Sequence, residues 1–274
     1  VLARLQADLA ALYGAGASFL SVNGSTCCIL ATISALCKPG DEILIARNCH
    51  KAVYNACFLN RLQVHYVEAE FDPTTGFYTR VTQAALDEAL AAHPEVVAVV
   101  VTSPTYEGYI SRLHCSVPLV VDAAHGAHLG LAPWLPGRME GDAVICSYHK
   151  TLPALTQTAG VQVYDSSLAP KIKRYMDMYE TSSPSYVLMN SVAKMADLVA
   201  DPAAFETLQA GLLKLYKLPL EHLRLIQADD PTKINISTLH CNIDGNALAH
   251  RLRACGIEPE MSCLLYTSDA ADEL

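Results

Sequence analysis

The chain has 274 residues, 51% hydrophobic and 17% charged, enough for one large domain with a real core and the start of a second. A formal net charge of −9 excludes a general nucleic-acid binder, which needs a basic face, although a helix N-terminus can still hold a small anion. No uncharged apolar run reaches the length of a membrane span, and no N-terminal signal pattern is present.

From residue 17 onward, short β-branched runs alternate with helical patterns. Strand-like "ASFLSV" passes through a glycine turn into helical "TCCILATISALC", which "KPGD" ends. "EILIA" precedes helical "NCHKAVYNACFLN", and "VHYVEA" precedes helical "VTQAALDEALAAH". The strands "VVAVVV", "VPLVVDAA", "DAVICSYH" and "GVQVY" follow. Strands apolar on both faces and separated by helices predict an α/β fold, with a mostly parallel sheet covered on both sides. In such sheets ligands bind at the carboxyl ends of the strands. Residues 165 to about 225 read as helices, and a strand near "DDPTKINIST" with a helix at "GNALAHRLRACGIEPEM" opens a smaller α/β unit. The ten cysteines form no C-x-x-C pair, and Cys37, Cys57 and Cys146 sit in apolar runs. Buried thiols in a reduced, cytoplasmic compartment are expected.

One crossover is short. Thirteen residues, Thr105 to Val117, separate the strand ending near Ser103 from "PLVVD". They leave little room for a covering helix, whereas parallel strands need a crossover of a dozen or more residues. A deletion is expected there.

Polar groups gather at four strand ends. "NGST" opens a helix after the first strand, so Ser25, Thr26 and the backbone N–H groups form an anion cradle, although serine and threonine are also ordinary caps. His50 starts the next helix, as a cap or as a ligand. Asp122 closes a fully apolar strand, a costly place for a carboxylate unless a cation or several donors meet it. His125 and His128 follow around Gly126, and a zinc or iron site with Asp122 is the competing reading. The three lie on one short turn with no further ligand at metal spacing, so no metal is expected. Lys150 ends the next strand, in "SYHKT". Phosphate cradle, buried carboxylate, imidazole and lysine together match the needs of pyridoxal phosphate.

The text resembles the major domain of the bacterial ornithine/lysine/arginine decarboxylases, within the aspartate-aminotransferase-like fold group. The matching phrases are "FLSVNGST", "CKPGDEILIARNCHKAVYNA", "TSPTYEGYIS", "VDAAHGAHLG", "SYHKTLPALTQTA", "TSSPSY" and "DDPTKINIST" with "GIEPEM". The resemblance implies that Lys150 holds the cofactor as an imine and that Asp122 partners the pyridine nitrogen. Ser25, Thr26, Ser147 and His149 would hold the phosphate or the cofactor rim, with His125 also at the cofactor. His50 would stack on one ring face and Ala124 would pack against the other. Ser182 and Ser183 would approach the phosphate of a neighbouring subunit in a homodimer or higher homo-oligomer. The implied reaction is decarboxylation of lysine, arginine or ornithine to a polyamine precursor. Another reaction on the same cofactor, transamination or β-elimination, is the alternative, and so is a non-catalytic cofactor-binding relative.

The implied organisation is a cofactor-binding major domain over residues 1–170, a helical connection and dimer-contact region over 171–225, and the start of a small domain over 226–262. Residues 263–274, with "CLLYTSDAADE", resemble the translation of a sequencing adaptor rather than the family. The family's N-terminal Pro-Gly-His-Lys segment has no counterpart. The chain thus reads as a fragment, of which no useful decarboxylase activity is expected.

Overall fold

The structure, a computed structural model, describes residues 2–239 and 241–262; the adaptor-like tail lies outside the described residues. In chain order, α1 (Leu2–Tyr13) precedes β1 (Ala17–Ser21), α2 (Gly24–Leu36), β2 (Glu42–Ala46), α3 (Lys51–Leu59) and β3 (Gln63–Val67). A small hairpin of β4 (Phe71–Asp72) and β5 (Phe77–Tyr78) leads to α4 (Gln83–Ala92). Next come β6 (Val96–Thr102), β7 (Leu119–Asp122), β8 (Ala143–Ser147), the one-turn α5 (Tyr148–Thr151) and β9 (Ala159–Val163). The rest comprises α6 (Ala169–Tyr179), α7 (Tyr186–Val199), a 3-10 turn (Pro202–Phe205), α8 (Glu206–Leu215), β10 (Arg224–Ile226), β11 (Asn235–Ser237) and α9 (Gly245–Ala254).

Seven strands form one sheet in the order β1-β9-β8-β7-β6-β2-β3. All its pairings are parallel except those of β9, which runs antiparallel to both β1 and β8. Every residue of β7, β8 and β9 is buried, as the β-branched runs require of strands covered on both faces. Leu9 of α1, Leu86 of α4 and Val192 of α7 pack on one face, while Ile29 of α2, Val53 of α3 and Ile172 of α6 pack on the other. The mostly parallel, helix-covered sheet expected from the pattern is present.

Between β6 and β7 the chain forms no helix among residues 103–118. Ile110 and Leu113 of this loop turn inward with Leu131 and Met139, and together they bury Leu119 and Val121 of β7. Side chains of irregular segments therefore do what a crossover helix would otherwise do. The small-unit pattern near residue 230 becomes the antiparallel pair β10–β11 followed by α9. No helix among the described residues is long and apolar enough to cross a membrane.

The turn after β8 is fixed by one large side chain. Tyr148 is fully buried, and its hydroxyl accepts a hydrogen bond from Gln162 Nε2 at 2.8 Å. The ring occupies the place where any Cβ at Gly160 would have to go, with Phe19 O close behind. Gly160→Ala should therefore destabilise the fold by about 1–3 kcal/mol through overpacking. It should also disturb the turn that carries Lys150, two residues from Tyr148. Urea unfolding of the variant checks this; an unchanged midpoint would show that Tyr148 has room to move.

Candidate active site

Because β1, β2, β6, β7 and β8 point the same way, their carboxyl ends open on one edge of the sheet. Register places Thr102 beside Asp122 on β6 and β7, and Asp122 beside Ile145 on β8. The polar ends singled out in the sequence lie on this edge.

Asp122 is 2% exposed. Its Oδ1 accepts from Ala124 N at 3.1 Å, and no other hydrogen bond reaches the carboxylate among the described residues. Burial holds its pKa above the usual carboxylate value, while the Ala124 bond and nearby Lys150 pull it down. This carboxylate is short of positive partners.

Lys150 sits on α5 rather than on the strand itself, because β8 stops at Ser147. Tyr148 N donates to Thr158 O at 3.0 Å, and His149 Nδ1 donates to the same carbonyl at 2.9 Å. The turn is thus clamped on both sides of the lysine stem. Lys150 Nζ lies 3.1 Å from His125 Nε2, and the amine donates to the ring. Burial lowers the Lys150 pKa, opposed by Asp122 and Glu260. For His125, burial first and then Lys150 and Lys233 push the pKa down to about 2, so the ring is neutral. Tyr106 meets the His125 ring edge-on at 4.8 Å between centroids.

His50 caps α3, its Nδ1 accepting from Ala52 N at 3.1 Å, so the neutral ring carries its proton on Nε2. Burial, then Lys150 and Lys51, lowers its pKa. It is therefore both the cap and a neighbour of the lysine. Ser25 and Thr26 stand in the first turn of α2, behind Gly24 with φ +76. Gly24 N donates to Gln157 O at 2.8 Å, which ties this N-terminus to the same 152–158 turn that holds His149. Ser147 is fully buried, and its Oγ has no partner among the described residues. Ala124 is buried next to Asp122. Ser182 and Ser183 are exposed on the loop before α7, and neither lines the Lys150 cavity. Ser182 instead borders a separate cavity of about 480 Å³ with Leu20, Val22 and Glu180.

The metal alternative for Asp122, His125 and His128 does not assemble. His128 turns to Asp230, with Nε2 and Oδ2 3.0 Å apart and both groups buried. This pair belongs to a junction that the sequence reading did not assign. Thr232 Oγ1 donates to Asp230 Oδ1 at 2.8 Å, and Asp230 N donates to Gly108 O at 2.9 Å. Asn235 Nδ2 donates to Glu107 O, and Arg80 forks onto Asp229 at 3.0 and 2.8 Å. Burial pushes the Asp230 carboxyl up, but His128 and Thr232 more than offset it and hold the pKa below the usual range.

The junction brings Lys233 into the cavity with Lys150. The cavity measures about 640 Å³ and is lined by Tyr106, His125, His149, Lys150, Lys233, Glu258 and Glu260, among others. Burial lowers the Lys233 pKa, opposed by Asp230 and Glu260. "DDPTK" offered the only sequence signal for it: a lysine in an aspartate- and proline-marked turn, with no pattern to say what it faces.

A family model described as the Orn/Lys/Arg decarboxylase major domain matches residues 3–215. The chain is 38% identical over 194 residues to the uncharacterized protein YaaO of Bacillus subtilis, covering 66% of this chain and 40% of that protein. It is 30% identical to an arginine decarboxylase of Bacillus anthracis, covering 96% of this chain and 60% of the relative. That alignment runs over 297 positions, more than the 274 residues here, so the relative has residues without a counterpart in this chain. Lysine decarboxylase A from Pseudomonas aeruginosa shares the fold with a TM-score of 0.77 at 18% identity, over 97% of this chain and 47% of that one. The architecture is that of fold type I pyridoxal-phosphate enzymes. The chain spans between 40% and 60% of the length of these relatives.

A neutral His125 has a measurable consequence. Its ring signals should not titrate between pH 5 and 8 in NMR spectra. In the unfolded chain the same ring takes a proton near pH 6.5. Stability from this site is therefore complete above about pH 6.5 and is lost as pH falls below it, by up to about 1.4 kcal/mol per pH unit. Unfolding midpoints of wild type and His125→Phe across pH 4–8 test this. Identical slopes would remove His125 from the acid response.

Proposed function

We propose, since this chain belongs to the Orn/Lys/Arg decarboxylase family, that it carries the cofactor site of a pyridoxal-phosphate-dependent decarboxylase of a basic amino acid. The observation that carries this reading is the cavity that Lys150, bonded to a neutral His125, shares with the carboxylates of Glu260 and of Glu258, the latter paired with Arg253. A lysine on a clamped turn suits attachment of an aldehyde, and carboxylates opposite suit a cationic side chain. Arginine is the first candidate among the three basic amino acids, because a relative aligned over 96% of the chain is named an arginine decarboxylase.

The residues fit the cofactor in three places. Asp122 is a buried carboxylate with a raised pKa and one hydrogen bond, a deficit that a protonated ring nitrogen would relieve. Ser147 Oγ is a buried hydroxyl awaiting a partner. The first turn of α2 offers N–H groups and the Ser25 and Thr26 hydroxyls to a phosphate.

When bound, the cofactor supplies a sink for the electron pair released as the Cα–carboxylate bond breaks. The chain's own groups do the rest. Asp122 would hold a proton at the ring nitrogen and so keep that sink open. Lys150, with its pKa lowered by burial, has more of its amine in the nucleophilic neutral form than a surface lysine has. His125 stays uncharged and accepts from Lys150 Nζ, which orients the amine without adding a competing cation. His50, fixed by its cap bond, would present its ring to one face of the cofactor, and the buried Ala124 would pack against the other. Tyr106, hydrogen-bonded to Glu260, positions one of the two acids. The exposed Ser182 and Ser183 remain available to a second copy of the chain, as a homodimeric site would need.

Borohydride reduction with pyridoxal phosphate, followed by peptide mapping, should place the pyridoxyl group on Lys150. Arginine, lysine or ornithine present during reduction should withdraw that label at lower concentration than norleucine does. A label on Lys51 or Lys233 would sink the lysine assignment, and equal competition by norleucine would sink the basic substrate. Asp122→Asn should still be labelled but bind cofactor roughly tenfold to a hundredfold more weakly, since a charge-assisted hydrogen bond is worth about 1.5–3 kcal/mol. Unchanged affinity would make Asp122 a structural residue.

A further inference from the structure

Far along the sheet from Lys150, a second group of chemically reactive side chains converges. Glu42 opens β2, His65 lies in β3, and His93 is the C-cap of α4. The parallel register pairs Glu42 with Gln63 and Leu44 with His65, so Glu42 and His65 stand diagonally adjacent on one face of the sheet. His93 meets them where α4 returns to the sheet at β6. One ligand atom from each of the three residues lies within 4.8 Å of the other two, and all three residues are half-buried.

Two contacts bring the three side chains together. His65 Nε2 is 2.8 Å from Glu42 Oε2, so a carboxylate already points at an imidazole nitrogen. The His65 and His93 rings stack at 3.7 Å between centroids, with 21° between their planes. Among the described residues, no hydrogen bond reaches the ring of His93. A single divalent ion would satisfy one nitrogen of each ring and the carboxylate at once.

We infer that Glu42, His65 and His93 form a binding site for a borderline divalent cation of the zinc class, separate from the cofactor cavity. Two imidazoles and one carboxylate are a donor set that zinc accepts, with bonds of about 2.0–2.2 Å and a remaining position for water. Tetrahedral bonds of that length put ligand atoms roughly 3.3 Å apart, so Glu42 and His65, now 2.8 Å apart, need to part by about half an ångström. The rings need a larger change: their planes must splay so that both lone pairs aim at one point. His93 is the C-cap of α4, held there by its backbone N–H, so its side-chain torsions can change without breaking that cap. The bound ion would tie the edge strand β3 to β2 and to the end of α4, a structural clasp on the outer edge of the sheet.

The probe is Zn²⁺ alone, added to the thiol-blocked chain so that the cysteines do not compete. The first equivalent should shift the imidazole signals of both His65 and His93 in NMR spectra and raise the thermal midpoint. Glu42→Gln and His93→Gln should each weaken this binding at least about tenfold, by the scale on which loss of even a supporting group matters at metal sites. If the first equivalent instead moves the signals of His50, His125 or His149 and leaves His65 and His93 in place, the site is refuted. The wild-type spectrum decides this without any variant. Titrations in which both variants match wild type would equally refute it.

Discussion

The site depends first on how Tyr148 is seated. A full tyrosine ring lies under the sheet edge because Gly160 has no side chain, and Gln162 satisfies its hydroxyl. That burial fixes the backbone of the turn, and Thr158 O, taking hydrogen bonds from both Tyr148 N and His149, fixes it again. Lys150 therefore leaves a rigid turn, although its own side chain is open to the cavity. A lysine on a loose loop would need ordering at each use, with the loss of side-chain entropy that this entails. Here the backbone part of that cost is met by core packing.

Electrostatics divides the edge into two regions. Asp122 lies deep and is short of positive charge, whereas Lys150 and Lys233 lie in the cavity above with lowered pKa values. His125 and His50 stand between and beside them as neutral rings, since burial and the nearby lysines disfavour protonation. This arrangement keeps the amines from being quenched by a direct ion pair.

The irregular segment between β6 and β7 has two duties. It covers β7 with Ile110 and Leu113, and through Glu107 and Gly108 it receives the segment from Asp229 to Asn235. Gly108 has φ +98, and a Cβ there would strike the stem of Lys233. The close approach of the two segments is what carries Lys233 to the cavity wall. His128 and Asp230 meet in the same junction as a buried close pair, Nε2 to Oδ2 3.0 Å, while Thr232 N and Oγ1 donate to Asp230 Oδ1. Such a pair favours one docking geometry over its neighbours, because separating the partners would strand a buried carboxylate.

The alternation of apolar strands and helices determined the sheet, its cover and the edge on which the chemistry lies, because burial on both faces leaves its mark on every residue of strands such as β6 to β9. The strand-end polar residues Ser25, His50, Asp122 and Lys150 were legible for the same reason: a charged or hydroxylated residue closing an apolar run stands out. Their roles on the cofactor came from resemblance to a family, not from spacing. What the sequence could not show were contacts between segments far apart in the chain. His128 reads as a partner of His125 three residues away, yet it pairs with Asp230, more than a hundred residues on. Lys233, Tyr106 and Glu260 gave no periodic or spacing signal, and they share one cavity only because the 103–118 loop and the 229–235 segment dock together. Local pattern records which side of an element is buried. Which distant polar groups then face each other is decided by docking, through hydrogen bonds and close approaches that exist only once the chain has folded.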